Sequence, residues 1–221
     1  MKIGAIFDWD GVIVDSSKQH EESWERLARE IGKSLPENHF QRSFGMKNEA
    51  IIPELLEWSR NPEEIRRLSL RKETLYREIV LEKGIAPLPG VTEFLRRLST
   101  AGIPCIIGSS TQRLNITTSL DVLGLTRYFT DYVTAEDVSR GKPDPEVFLK
   151  CADRIGVAAS ESVVFEDAHV GIDAARNAGM KVIALATTHP RATLGKADRV
   201  IDRLDELQVN DLEELLTSCA T

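Results

Sequence analysis

Four short apolar runs, each cut off by a polar residue, constrain this chain more than any other feature. Ile3-Gly4-Ala5-Ile6-Phe7 stops at Asp8, and Pro104-Cys105-Ile106-Ile107-Gly108 stops at Ser109. Val163-Val164-Phe165 stops at Glu166, and Val182-Ile183-Ala184-Leu185-Ala186 stops at Thr187. A strand with no polar alternation must be covered on both faces, and sheets covered on both faces are parallel ones. Helical punctuation lies between the runs. Pro89-Gly90 opens an amphipathic stretch to Leu98 with Gly102 beyond it. Asp144-Pro145-Glu146 offers an N-cap, a proline at the first helical position and an acid on the first turn of a helix ending near Gly156. A further helix runs from about Gly171 to Ala178 and stops at Gly179, a residue suited to a left-handed C-cap. Strand and helix alternating over residues 90–200 predict a right-handed, doubly wound α/β domain with a parallel, Rossmann-like sheet.

Residues 16–87 follow another rule. Trp24, Leu27, Ala28 and Ile31 recur at helical spacing, as do Ile51, Leu55 and Leu56, then Leu68, Leu75 and Ile79. Charges fill the remaining positions and no strand-like run appears. The expected organisation is a discontinuous α/β core, residues 1–15 and 88–221, with an all-α insertion at 16–87. At 221 residues and 42% apolar, the chain can bury a core without disulfide or metal staples. Its 35 acids against 28 lysines and arginines give a net charge of −7, which argues against nucleic acid or an anionic membrane as partner. Cys105, Cys151 and Cys219 cannot all pair and none has C-x-x-C spacing, so a reduced, cytoplasmic setting is expected. Asp8 and Asp10 interrupt the N-terminal apolar run as no signal peptide would, and no run approaches the ~20 residues of a spanning helix. Oligomeric state is not legible, and a monomer is compatible with the pattern.

In open parallel sheets, ligands sit outside the carboxyl ends of the strands. Those ends carry Asp8 and Asp10, Ser109 and Ser110, and Glu166 and Asp167, with Lys142 in the loop Arg140-Gly141-Lys142-Pro143. Carboxylates, hydroxyls and a lysine on one rim describe a hard-metal site beside an anion site. All-oxygen donors select Mg²⁺, which is normally completed by water and a substrate phosphate. Asp8 and Asp10 are two apart, so one can attack while the other handles the proton. A calcium loop starting at Asp8 would need glycine at Ile13 and glutamate at Gln19, and it is set aside. Gly32-Lys33-Ser34 lacks the earlier P-loop glycine, because Leu27 stands there. His20-Glu21 lacks the second zinc-protease histidine, because Trp24 stands there.

Asp8-Trp9-Asp10-Gly11-Val12, Ser109, Gly141-Lys142-Pro143 and Phe165-Glu166-Asp167 resemble, in order and spacing, the four motifs of the haloacid dehalogenase-like superfamily. Glu166-Asp167-Ala168 through Gly171, Ala174-Ala175 and Ala178-Gly179-Met180 looks like its β-phosphoglucomutase-like branch, whose helical cap domain the insertion matches. The resemblance implies Asp8 as nucleophile on phosphorus and Asp10 as acid, then base. It implies Mg²⁺ held by Asp8, the Asp10 backbone carbonyl, Glu166 and Asp167, and a phosphoryl group bound by Ser109, Ser110 and Lys142. His20 and Trp24, four apart, match a pair found near the start of such caps, where the histidine links cap closure to acid/base chemistry. A structural role for the pair is the alternative.

The cap loop departs from the mutase pattern. Its glycine is Gly45, preceded by Phe44 where a lysine is expected, and the following arginine position reads Asn48, beside Lys47. Without that bidentate fork, a second phosphate is harder to hold. The expected activity is therefore Mg²⁺-dependent hydrolysis of small phosphate monoesters, sugar phosphates foremost, through an aspartyl phosphate. A β-phosphoglucomutase is the runner-up. A phosphonoacetaldehyde hydrolase-like enzyme using Lys47, and a non-enzymatic phosphate-binding protein, are further alternatives. Asp10 stands where the phosphonoacetaldehyde hydrolases carry alanine.

Overall fold

The computed structural model describes residues 2–43 and 46–218; Phe44, Gly45 and Cys219 lie outside the described residues. In chain order the elements are β1 (Gly4–Phe7), α1 (Ser17–Ile31), α2 (His39–Ser43), α3 (Asn48–Ala50), α4 (Pro62–Lys83), α5 (Val91–Thr100), β2 (Cys105–Gly108) and α6 (Arg113–Leu123). They continue with β3 (Asp131–Val133), α7 (Glu146–Ile155), β4 (Ser162–Glu166), α8 (His169–Asn177), β5 (Lys181–Leu185), β6 (Arg199–Ile201) and α9 (Val209–Thr217). A π-helical turn, Ile51–Leu55, follows α3. The chain divides into two compact units, Met1–Asp15 with Ala86–Thr221, and Ser16–Ile85.

In the first unit, six parallel strands lie in the order β3-β2-β1-β4-β5-β6. This is the doubly wound arrangement, with its reversal of strand order between β1 and β4. Register decides what meets at that point. Phe7 pairs with both Ile107 and Phe165, so the residues just beyond, Asp8 and Glu166, emerge side by side, with Ser109 at the neighbouring strand end. Asp8 N donates to Phe165 O at 2.9 Å, extending the ladder through the acid.

Successive residues of a strand face opposite layers. Ile6, Ile106 and Val164 join Phe148 and Cys151 of α7 and Ile172 of α8 in one buried cluster. Phe7 and Phe165 stack at 4.5 Å, and Phe94 of α5 meets both edge-on. Helix α7 starts at Glu146, one residue later than Asp144-Pro145 suggests. Asp144 still serves its first turn, its carboxylate accepting from Glu146 N at 3.0 Å. Gly156 and Gly179 take the left-handed conformations expected after α7 and α8. Cys105 and Cys151 are buried, free thiols. The chain leaves this unit after Asp15 and rejoins it at Ala86; just inside these points Val14 pairs with Pro87, and Leu88 N donates to Ile13 O at 2.8 Å.

The second unit is entirely helical, the inserted cap region of the fold. Asn61 caps α4, its side chain accepting from Glu63 N and Glu64 N, with Pro62 at the first position. Trp24, Leu27 and Ala28 of α1 pack with Ile51, Ile52, Trp58, Leu68 and Leu75. No helix among the described residues is long and apolar enough to cross a membrane.

Candidate active site

At the carboxyl rim of the sheet, Lys142 Nζ lies 2.8 Å from Asp8 Oδ1 and 2.7 Å from Glu166 Oε1. It also sits 4.8 Å from the centre of the Phe148 ring. Asp8, Glu166 and Asp167 are all buried, and each offers a carboxylate oxygen within 4.8 Å of the others. Glu166 is pinned through its other oxygen, which accepts from Asp167 N and Ala168 N, both at 2.7 Å. Its carboxylate thus occupies the start of α8, where backbone N–H groups lack helical partners.

Two glycines make room for these acids. Gly171 is met so closely by Glu166 that any β-carbon would overlap the carboxylate. Gly11, at φ +79°, meets Asp167 in the same way, and its carbonyl accepts from Thr187 Oγ1 at 2.6 Å. Motif glycines here are a packing requirement as well as a turn requirement.

The electrostatics are those of a site short of positive charge. Burial pushes the Asp8 carboxyl up to about 7; Lys142 opposes this, while Glu166 and Asp10 add to it. Burial, Glu166 and Asp8 together raise Asp167 to about 8, against a hydrogen bond from Thr188. Burial works against the Lys142 charge, but Asp8 and Glu166 outweigh it and hold its pKa above the ordinary lysine value. One ammonium shared among three buried acids leaves two of them still disfavoured as anions. An all-oxygen donor set with that deficit has the chemistry of a divalent-metal site.

Asp10 stands apart from the triad: its Oδ2 accepts from Thr111 Oγ1 at 2.5 Å. Ser109 is buried and its hydroxyl oxygen accepts from Thr111 N at 3.1 Å; Ser110 is exposed. Thr111 and Thr188 were not singled out from sequence. The available signal was that both lie in loops following buried strands, where hydroxyls reach the rim.

The remaining candidates belong to the helical unit. Trp24 is a core residue there, edge-on to Trp58 at 6.0 Å. His20 Nδ1 is 2.7 Å from Lys72 Nζ, and its ring stacks on Tyr76 at 4.2 Å. Asn48 Nδ2 donates to Glu73 Oε1 at 2.7 Å and to Ser69 Oγ at 3.2 Å. Lys47 is exposed. Lys72 and Glu73, both buried and 3.0 Å apart, also escaped the sequence reading. Lys72 falls on the apolar stripe between Leu68 and Leu75, and a charge on such a stripe was the overlooked signal.

Comparison with known proteins agrees with this picture. The model of the haloacid dehalogenase-like hydrolase family matches residues 5–185. A chloroplastic 5-amino-6-(5-phospho-D-ribitylamino)uracil phosphatase of Arabidopsis thaliana is 39% identical over 216 residues, covering 96% of this chain; the chain spans 57% of that protein's length. Hexitol phosphatase A of Escherichia coli is 32% identical, with 93% of each chain covered. A crystal structure of β-phosphoglucomutase from Clostridium difficile superposes with a TM-score of 0.81 at 27% identity, covering 98% of this chain and 97% of the other. With its parallel core, its helical cap region and its aspartate-based rim, the chain belongs to the haloacid dehalogenase-like hydrolases.

Proposed function

We propose that the chain is a Mg²⁺-dependent phosphatase that hydrolyses small phosphate monoesters of sugars or sugar alcohols through a phosphoaspartate on Asp8. The observation that carries this reading is the Lys142 ammonium bonded at once to Asp8 and Glu166 inside the acidic triad. A carboxylate approaching a phosphate dianion is repelled unless cations neutralise both. Asp8, Glu166, Asp167 and the Asp10 carbonyl are the groups that would hold Mg²⁺, and the ion would supply the positive charge that Lys142 alone cannot.

In this reading Asp8 attacks phosphorus while Asp10 gives its proton to the departing alcohol oxygen. Asp10 then takes a proton from water, which attacks the phosphoaspartate and frees phosphate and Asp8. Ser109, Ser110 and Lys142 bind the transferring phosphoryl oxygens. The relatives named for a ribityl phosphate and for hexitol phosphates support a polyol-type ester as substrate. A reducing compartment, the cytoplasm in the simplest case, is proposed on the free, buried Cys105 and Cys151.

A β-phosphoglucomutase is the second reading, favoured by the likeness to the Clostridium structure. Against it, the position where the mutase pattern has arginine is Asn48, whose amide bonds Glu73 and Ser69 within the cap region. The test is a panel of phosphate esters including hexitol phosphates, the ribitylaminouracil phosphate and β-glucose 1-phosphate with a trace of the 1,6-bisphosphate. Phosphate release from polyol esters, absent in Asp8→Asn and silenced by chelator, is expected. Glucose 6-phosphate forming faster than free phosphate would overturn the preference for hydrolysis.

A further inference from the structure

The loop that follows β2 ties two parts of the rim together through one residue. Thr111 donates its backbone N–H to Ser109 Oγ at 3.1 Å and its hydroxyl to Asp10 Oδ2 at 2.5 Å. Its carbonyl accepts from Ala135 N at 3.2 Å, which anchors the loop to the segment after β3. The Ser109 oxygen therefore accepts from within its own loop. The Asp10 carboxylate is held from a residue 101 positions away.

We propose that Thr111 is a positioning residue that sets the Asp10 carboxylate and the Ser109 hydroxyl in register with one another. The proposal rests on the phosphoaspartate reading only in giving Asp10 its proton-transfer role. The choice of group makes chemical sense. A carboxyl that gives a proton in one step and takes one in the next needs a partner for both of its states. A hydroxyl donates to the ionised carboxylate and accepts from the protonated one. Thr111 keeps its own proton throughout and only turns it, so it orients the Asp10 carboxyl without taking its proton. Thr111 is half-buried, so it can be replaced without opening a core cavity.

The test is a double-mutant cycle with Thr111→Val, Asp10→Asn and the pair, read on p-nitrophenyl phosphate and on a hexitol phosphate. Thr111→Val is expected to lower kcat about 10- to 100-fold with KM nearly unchanged. Nitrophenolate departs without a proton, so with the chromogenic ester the variant should show a burst approaching one equivalent of enzyme, then slow turnover. Thr111→Ser should restore most of the loss. In the Asp10→Asn background, Thr111→Val should change the rate by no more than about two-fold. An equal loss in both backgrounds would overturn the proposal, as would wild-type turnover in Thr111→Val, or serine rescuing no better than valine. Should the valine variant fail to fold, Thr111→Ala enters the same cycle. Full turnover in Asp8→Asn would remove the phosphoaspartate and leave the Thr111–Asp10 coupling to be read from the cycle.

Discussion

Each unit of the molecule buries a cluster of charge, and the two clusters are composed differently. In the α/β unit, three carboxylates lie around one lysine that bonds two of them, and burial, with the neighbouring acids, pushes Asp8 up to about 7 and Asp167 up to about 8. In the helical unit, Lys72 pairs with the carboxylate of Glu73, beside a neutral amide, Asn48, and an imidazole, His20. The first cluster gathers more carboxyls than ammonium groups, so its acids are disfavoured as anions. In the second, an ammonium and a carboxylate adjacent on α4 meet each other. A surplus of like charge marks a place that receives a ligand; a matched pair marks a place that holds a shape.

The largest effect that separates the two is catalytic. Asp8→Asn should lower phosphate-ester hydrolysis by at least about 10⁴-fold, as loss of a nucleophile does. The fold should survive, because the amide keeps the shape and relieves the like-charge crowding. Substantial turnover in that variant would end the nucleophile assignment.

Lys142→Ala should destabilise the metal-free protein by about 3–5 kcal/mol in chemical denaturation, because it takes the paired ammonium away from the buried Asp8 and Glu166. Millimolar Mg²⁺ should return much of that loss. No response to Mg²⁺ would mean the triad does not take a divalent ion. Lys72→Met should cost about 3 kcal/mol by removing the ammonium beside the buried Glu73, and Mg²⁺ should not restore it. Pairing it with Glu73→Leu should recover stability, since an apolar pair fills the same space. A Mg²⁺-sensitive Lys72→Met would break the contrast between the clusters.

The smallest effect concerns an acid whose donors are already in place. Burial acts against the Asp137 charge, but Thr134 through its N–H and hydroxyl, with Arg154 and Arg113, prevails and lowers the carboxyl to about 2. A pKa below its unfolded value gives stability that is present above about 4 and is lost as pH falls through about 2. Asp137→Asn should therefore cost about 1 kcal/mol at pH 7. The difference from wild type should close towards pH 2 in denaturant melts. A difference independent of pH would assign the effect to shape.

What could be read from sequence follows from where physics leaves a mark on neighbouring residues. β1, β2, β4 and β5 are covered on both faces, so they are written as unbroken apolar runs. β3 and β6 are edge strands of three residues each, half-exposed, and Asp131-Tyr132-Val133 and Arg199-Val200-Ile201 carry no such signature. The acids at the rim were legible because they end buried strands. Thr111 was not, because its role depends on a partner 101 residues away that only register brings near. Lys72 and Glu73 were hidden differently: adjacent charges on a helix read as solvated until packing turns one flank inward.

The seam where Val14 pairs with Pro87 and Leu88 N reaches Ile13 O has a consequence for how such a chain can change. The two ends of the insertion are held together by the α/β unit itself, so whatever is spliced between them closes a loop whose ends are already neighbours. The entropy of that closure grows only with the logarithm of the loop's length, about 0.6 kcal/mol for each doubling. The sheet therefore places almost no limit on the size of the insert. Shortening it to a tight turn, or exchanging it for another helical module, should leave the rim of acids standing on the same register.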